Sequence, residues 1–350
     1  MTDAGPAAHH GPAAPAAGPA AAAPGAADPG PARDTAADAA DAADAADAAD
    51  AADAADAADA ANTEAAAAAL LAEVGRLGSV AVAYSGGVDS TVVLAAAVRA
   101  LGPGRAVAVI ADSPALARGE LTLARDTAAD LGAELVVLDT DELSVAGYRA
   151  NAGDRCYFCK QTVLGRVAGY AAENGFAHVA TGTHLDDRRA AHRPGLRAAK
   201  ELAAAEPLAA AGLGKAAVRA VARAWGLPVA EKPGMPCLAS RIAVGITVSK
   251  DRLHLVERAE ERVRETLDEH RVGARDVRVR LLKQGFRIEL DAPAHREVAA
   301  AQGLCDTLLR EVAAVGPLGE GSLAPYRTGA VSTAARAAAR AVSSDGAPTR

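Results

Sequence analysis

SVAVAYSGGVDS, Ser79 to Ser90, joins an apolar run to a glycine-bearing turn. Its first half has the length and the small, β-branched content of a strand buried on both faces of a parallel sheet. Thr91 to Leu101 then reads as a helix. A strand that ends in Gly86-Gly87 and opens a helix makes an anion cradle. The glycines let the backbone approach a ligand, and Ser85 and Ser90 bring hydroxyls. The helix N-terminus brings free N–H groups and the positive end of its dipole. The turn lacks the Gly-Lys-Ser/Thr of a Walker A loop. Without that lysine it is expected to hold pyrophosphate as a leaving group. Attack then falls on the α-phosphate of ATP and gives an adenylated intermediate. Asp89 is a candidate Mg²⁺ ligand, directly or through water.

The alternation continues outward. Ala106–Ala111 (AVAVIA) and Glu134–Leu138 (ELVVL) read as buried strands, and His178–Ala180 begins a fourth that ends at Thr181-Gly182-Thr183. Helices are expected over Glu64–Leu77, Arg118–Leu131, Thr162–Asn174 and Gly214–Trp225. Strand and helix in turn predict the α/β class, a Rossmann-like doubly wound parallel sheet. Beyond Pro233 the character changes. Leu253–Leu267 is a charged amphipathic helix, Val277–Leu281 and Phe286–Leu290 are two strands, and Glu297–Val312 is a helix. These predict a smaller α+β C-terminal domain. The expected divisions are a disordered Ala/Asp/Pro-rich tail at 1–63, a nucleotide domain at 64–232, a sulfur-transfer and substrate domain at 233–328, and a second disordered tail at 329–350.

Composition narrows the classes. Residues 1–64 contain no large apolar side chain after Met1, so they cannot bury enough surface to offset ordering entropy. Their Ala-Ala-Asp triplets from Asp38 to Asp59 wind around a helix surface and make no apolar face. That stretch holds twelve acids and one arginine, a balance of −11 against −7 for the whole chain, so the remainder carries +4. A mildly basic core suits an anionic small molecule. Nucleic acid is disfavoured as a partner, because aromatic residues for base stacking are only 3% of the chain. The N-terminus lacks a basic n-region and a Leu/Val-rich h-region, and no apolar run is strong enough to span a bilayer. A cytoplasmic setting without a membrane partner is expected, where Cys-x-x-Cys signals metal or redox chemistry. A homo-oligomer is compatible with all of this.

The hexapeptide Ser85-Gly86-Gly87-Val88-Asp89-Ser90 resembles the PP-loop of the N-type ATP pyrophosphatases, which include GMP and NAD synthetases, asparagine synthetase and tRNA thiolases. By that likeness ATP and Mg²⁺ are the cofactors, and Asp112-Ser113 at the end of the second strand holds the adenosine.

Four cysteines occur: Cys156, Cys159, Cys237 and Cys305. Arg155-Cys156-Tyr157-Phe158-Cys159-Lys160 sets two thiols at metal-ligand spacing. Cys237, in Lys232-Pro233-Gly234-Met235-Pro236-Cys237-Leu238-Ala239-Ser240-Arg241, is on a loop, since proline and glycine exclude regular helix there. Arg155, Lys160 and Arg241 favour nearby thiolates. A structural zinc site would need a fourth ligand. Cys305, between Leu304 and Leu308 on a helix, reads as a core residue.

SGGVDS, RCYFCK, the RPG at Arg193–Gly195, GLGKAAVR and KPGMPCLASRI, in this order, resemble the LarE family over about residues 64–328. That likeness implies an ATP-dependent sulfur transferase. It would adenylate a carboxylate of pyridinium-3,5-biscarboxylic acid mononucleotide and convert it to a thiocarboxylate for the nickel-pincer nucleotide. Two sulfur sources are known in the family. In one, the cysteine at the position of Cys237 gives up its own sulfur and becomes dehydroalanine. In the other, three cysteines hold a [4Fe-4S] cluster whose open iron carries hydrosulfide. The presence of Cys156, Cys159 and Cys237 together favours the cluster. Ser240, Arg241, Arg278 and Arg280 are the candidates for the substrate phosphate; Arg278 and Arg280 alternate along a strand and share a face. Glu257 and Lys215 are further candidates, each equally explained as a surface helix residue. The chain departs from the family pattern at His184, at Val244 and in the segment before Arg193. Three rival functions stand beside this one: a tRNA thiolase of the same superfamily; an amide-forming synthetase, which would have no use for Cys237; and a degenerate nucleotide-binding module without catalysis, against which the intact hexapeptide and the thiols argue.

Overall fold

A computed structural model describes residues 58–189 and 194–327, all within one contact unit, Ala57–Arg350. Most of the Ala-Ala-Asp repeat, Arg193 and the chain after residue 327 lie outside the described residues.

After a first helix, α1 (58–75), the chain alternates. It runs β1 (Val80–Ala83), α2 (Val88–Leu101), β2 (Ala106–Asp112), α3 (Arg118–Asp130), β3 (Glu134–Asp139), α4 (Ala146–Ala150), α5 (Arg155–Glu173) and β4 (His178–Ala180). The four strands form one parallel sheet in the order β3-β2-β1-β4. Successive side chains take opposite faces. Val80 and Val82 join a core with Leu70, Val92, Leu121 and Val221, while Ala81 pairs with Val107, Val109 and Val167 of α5 on the other face. Helices thus cover both faces, as the near-continuous apolar strands require. The chain leaves β1 toward β2 on one side and returns to β4 on the other. The mouth above β1 is therefore a topological switch point, where ligands bind in such sheets.

Short helices α6 (Leu185–Arg189), α7 (Pro194–Glu201) and α8 (Pro207–Ala210) lead to α9 (Lys215–Ala224), which packs on α2. The chain then crosses to a second sheet through α10 (Lys250–Glu269), whose N-cap Ser249 accepts a hydrogen bond from Arg252 N at 3.3 Å. In this sheet β5 (Val277–Leu281) is antiparallel to β6 (Phe286–Leu290), and β6 is parallel to β7 (Gly321–Pro325). Helices α11 (Ala292–Ala300) and α12 (Gln302–Ala314) complete it. Val256, Val263, Val279, Ile288, Leu308 and Val312 form its core, and Cys305 packs against that core.

Besides the short helices α4, α6, α7 and α8, which were not expected, three elements differ from the sequence expectation. Helix α5 starts at Arg155 rather than Thr162, because nothing between them breaks a helix, so the Cys-x-x-Cys lies in a first helical turn. The single helix expected over Glu297–Val312 is two, broken at Ala301 (φ −100°, ψ 81°). Strand β7 was not expected; its Gly-Ser-Leu-Ala-Pro has little strand character, and its proline is tolerated on an edge. Among the described residues no helix is long and apolar enough to cross a membrane.

Candidate active site

The loop after β1 is internally braced. Ser90 Oγ accepts from Ser85 N (3.2 Å), lies 3.1 Å from Ser85 Oγ and donates to the Gly87 carbonyl (3.1 Å). Thr91 Oγ1 donates to the same carbonyl at 2.9 Å. Gly86 has a left-handed backbone (φ 67°), and a Cβ there would stand 3.0 Å from Ala124 Cβ of α3. Glycine is needed on both counts. Gly87 is the N-cap of α2, so the unpaired N–H groups of the first turn face the mouth of the sheet.

Both Asp89 carboxylate oxygens accept from Lys215 Nζ, each at 2.7 Å. Lys215 is held by its own N–H, which donates to Asp186 Oδ2 at 2.7 Å. A Mg²⁺ bound through Asp89 and nucleotide phosphates suits this donor set and would share Asp89 with the ammonium. Lys232 Nζ donates to the Gly86 carbonyl (3.2 Å) and to Glu120 Oε2 (2.7 Å). The segment that leads to Cys237 is thereby tied to the loop.

A cavity of about 580 Å³ opens at this point, within the range of small-molecule sites. Ser85, Gly87, Asp89 and Ser90 line one part of it, Ile110, Ala111, Ser113 and Leu116 another, and Cys156, Cys159 and Cys237 a third. Five of the seven expected ATP residues, Ser85, Gly87, Asp89, Ser90 and Ser113, therefore face one space with the three thiols. Gly86 stands behind the loop. Asp112 turns away: Arg118 Nη2 holds its Oδ1 at 2.7 Å, in a second cavity with Glu257. Glu257 Oε1 accepts from Arg118 N at 2.7 Å and so caps α3. His184 is buried, and its Nδ1 accepts from Asp187 N at 3.3 Å.

The thiol end is shaped by buried polar groups. Cys237 is exposed and is the N-cap of a 3₁₀ turn, Leu238–Arg241. Leu238 N donates to the Ala115 carbonyl at 2.8 Å, and Ala243 N to the Leu281 carbonyl at 3.0 Å. The thiol segment thus bridges the turn after β2 and the second sheet. Burial, and then the negative charge that Cys237, Glu142 and Cys156 can carry, push the Cys159 thiol well above its ordinary pKa. Glu142 is buried; Thr140 Oγ1 donates to its Oε2 at 3.0 Å, and Cys159 Sγ lies 3.9 Å from its Oε1. Burial raises its carboxyl too. Tyr148, also buried, has its hydroxyl pushed up by burial and then by Cys237 and Cys159.

Among the described residues no group of three His, Cys, Asp or Glu side chains stands where it could hold a metal ion. A mononuclear zinc site, with sulfurs about 2.3 Å from one ion, is therefore not formed, and the expected [4Fe-4S] cluster gains no support.

The arginines expected to meet a phosphate stand behind the Cys237 segment and do not line the cavity. Arg241, 2% exposed, pairs with Glu260 (Nε–Oε1 2.8 Å) and donates to the carbonyls of Pro236 and, at 3.3 Å, Cys237. It also reaches Ser240 Oγ at 3.1 Å. Arg278, 1% exposed, donates to the Gly234 carbonyl at 3.0 Å. Arg280 reaches the Ser240 carbonyl at 3.1 Å and pairs ionically with Glu289. A phosphate at Arg241 or Arg278 would have to displace these carbonyls.

Sequence reasoning passed over Glu142, Tyr148, Lys232 and Gly182. A Cβ on Gly182 would stand 2.7 Å from Ser90 N, so the end of β4 presses on the phosphate loop. The Thr-Gly-Thr after the fourth strand was the available signal for it. Glu142 carries none, since only the fold brings it to Cys159.

The family model described as NAD synthase matches residues 65–169. An uncharacterised protein of Synechocystis sp. is 39% identical over 216 residues, which cover 62% of this chain and 78% of that one. The pyridinium-3,5-bisthiocarboxylic acid mononucleotide synthase of Lactiplantibacillus plantarum is 36% identical over 211 residues, 60% of this chain and 74% of that one. An uncharacterised protein of Methanocaldococcus jannaschii is 26% identical over 188 residues, 53% of this chain and 69% of that one.

Proposed function

We propose, from the premise that this chain belongs to the LarE family of pyridinium-3,5-bisthiocarboxylic acid mononucleotide synthases within the PP-loop superfamily, that it is an ATP-dependent sulfur transferase. Its substrate is pyridinium-3,5-biscarboxylic acid mononucleotide and its product serves nickel-pincer nucleotide synthesis. The observation that carries this reading is the single cavity lined by the Ser85–Ser90 loop and by Cys156, Cys159 and Cys237. The ATP part falls in 64–232 and the sulfur part draws on 233–328.

In this reading a substrate carboxylate oxygen attacks the α-phosphate of ATP. Pyrophosphate leaves against Ser85, Ser90 and the first N–H groups of α2, where preorganised donors stabilise developing charge. Asp89 would hold Mg²⁺, which would supply neutralisation of the developing phosphate charge. Cys237, exposed on the cavity, attacks the acyl carbon of the adenylate; its C–O bond to AMP breaks and a thioester forms. Loss of the Cys237 α-proton then breaks the Cβ–S bond. The thiocarboxylate departs and dehydroalanine remains at position 237. No further reductant is needed.

The test is anaerobic turnover with ATP, Mg²⁺ and the pyridinium mononucleotide. Pyrophosphate and AMP should appear only with that acceptor, the product should gain sulfur, and the Cys237 peptide should lose H₂S. Release driven by tRNA or ammonia instead would replace the acceptor. Bound iron with unchanged protein mass would move the sulfur source away from Cys237. No acceptor-dependent pyrophosphate at all would end the proposal.

A further inference from the structure

Helix α4 ends on Asn151, a left-handed residue (φ 50°) only 1% exposed. Its side-chain amide donates to three carbonyls far along the chain: Ile242 at 3.2 Å, Ala243 at 2.9 Å and Ile246 at 3.1 Å. Its own carbonyl accepts from Gly245 N at 2.9 Å. Its amide oxygen accepts from Arg155 Nη1 at 2.7 Å, and the same nitrogen donates to the Ala239 carbonyl at 2.8 Å. Arg155 is 6% exposed, and its hydrogen-bond partners among the described residues are an amide oxygen and a main-chain carbonyl, not a carboxylate. Its hydrogen-bond acceptors are neutral and its charge acts on the Cys159 thiol; burying a guanidinium without a carboxylate partner is costly. The arrangement is therefore informative about what it fixes.

What it fixes is the spacing of the thiols. Arg155 is the first residue of α5 and the neighbour of Cys156, and Ala239 lies in the 3₁₀ turn that Cys237 caps. Helix α5 is also packed by α7, which reaches the Cys156 turn itself, and by β1 and β4. Arg155 is the tie that joins the Cys156 turn directly to the Cys237 turn, and its loss leaves the packing of the helix on α7, β1 and β4 in place.

We infer that Arg155 and Asn151 are positioning residues that hold the Cys156–Cys159 turn opposite Cys237. The inference rests on the proposal that these thiols serve one reaction, but its geometry can be tested without turnover. Dibromobimane, which bridges neighbouring thiols, is added to the purified, reduced full chain, and bridged peptides are counted by mass spectrometry. The wild type should give Cys237 bridged to Cys156 or Cys159, together with the internal Cys156–Cys159 bridge. In Arg155→Met the Cys237 bridges should fall on the order of tenfold, as proximity-limited reactions do when groups shift by less than ~1 Å, while the internal bridge persists. Arg155→Lys should behave like Arg155→Met, because an ammonium is a point charge and not a rigid fork. Asn151→Asp keeps the oxygen for Arg155 but loses the Nδ2 that donates to the three carbonyls, and should lower the Cys237 bridges in a chain where Arg155 is intact. No Cys237 bridge in the wild type, full rescue by lysine, or wild-type ratios in both Arg155→Met and Asn151→Asp would each overturn the inference. A chain that bridges as expected but transfers no sulfur would leave the positioning intact and refute the function.

Discussion

Gly182→Ala adds a single methyl group and should disable nucleotide binding. Gly182 follows β4, and its backbone is not in the left-handed region, so alanine costs nothing in conformation there. The cost is steric. The new Cβ would stand 2.7 Å from Ser90 N, 2.9 Å from the Asp89 carbonyl carbon and 3.0 Å from Asp89 Cβ. Contact between such atoms begins at roughly 3.5 Å, so the loop or the strand end must give by roughly 0.5–0.8 Å. None of the three atoms is the end of a flexible side chain, so no rotamer change relieves it. Overpacking of this kind costs about 1–3 kcal/mol in stability. The displaced atoms belong to the first turn of α2, whose N–H groups are to receive the phosphates. A shift approaching 1 Å there should lower pyrophosphate release up to ~100-fold. The assay pairs thermal unfolding with ATP titration calorimetry and pyrophosphate release. Gly169→Ala is the control: nothing lies within 4 Å of its new Cβ in α5, and it should stabilise by about 0.5–1 kcal/mol. A Gly182→Ala protein with wild-type unfolding temperature and wild-type ATP affinity would refute the argument.

Three further outcomes are expected. Arg241→Met strands Glu260 in the core, 6% exposed, and should cost about 3–5 kcal/mol in urea unfolding, with part recovered by Glu260→Gln in the same chain; no recovery would mean that the carbonyl contacts of Arg241 dominate. Lys232→Met removes a 2.7 Å pair with Glu120 and the contact to the Gly86 carbonyl, and should lose about 1.5–3 kcal/mol together with ATP affinity; loss of stability alone would show that the tie does not shape the loop. Burial raises the Glu142 carboxyl, so the folded state holds that proton more tightly than the unfolded chain. The stability this gives is complete below the unfolded pKa of about 4.3 and is lost as pH rises through the folded value. Glu142→Gln should therefore match the wild type in acid and exceed it near neutrality; a difference that does not change with pH would contradict the burial argument.

The parallel sheet was legible because its four strands announce themselves locally. Each is a short apolar run, and each is followed by a turn or a helix. The phosphate loop was legible for the same reason, since its chemistry is contained in six consecutive residues. The thiols were legible as residues but not as a place. That Cys156, Cys159 and Cys237 face the cavity depends on α5 beginning at Arg155 and on a crossing between two sheets, neither of which leaves a local pattern. Arg278 and Arg280 show the limit of periodicity. Alternation places them on one face, but only packing shows that their partners are the carbonyls of Gly234 and Ser240. Strand β7 was invisible because its pairing with β6, not its composition, makes it a strand.

Leu238 is moored to the turn after β2 and Ala243 to the edge of the second sheet. The stretch between them works like the pin of a hasp, with one leaf on each half of the protein. Prying the halves apart by a fraction of an ångström would draw the Cys237 thiol away from the Ser85–Ser90 loop before any secondary structure was lost. A destabilised variant should therefore fall silent at a temperature well below the one at which it melts.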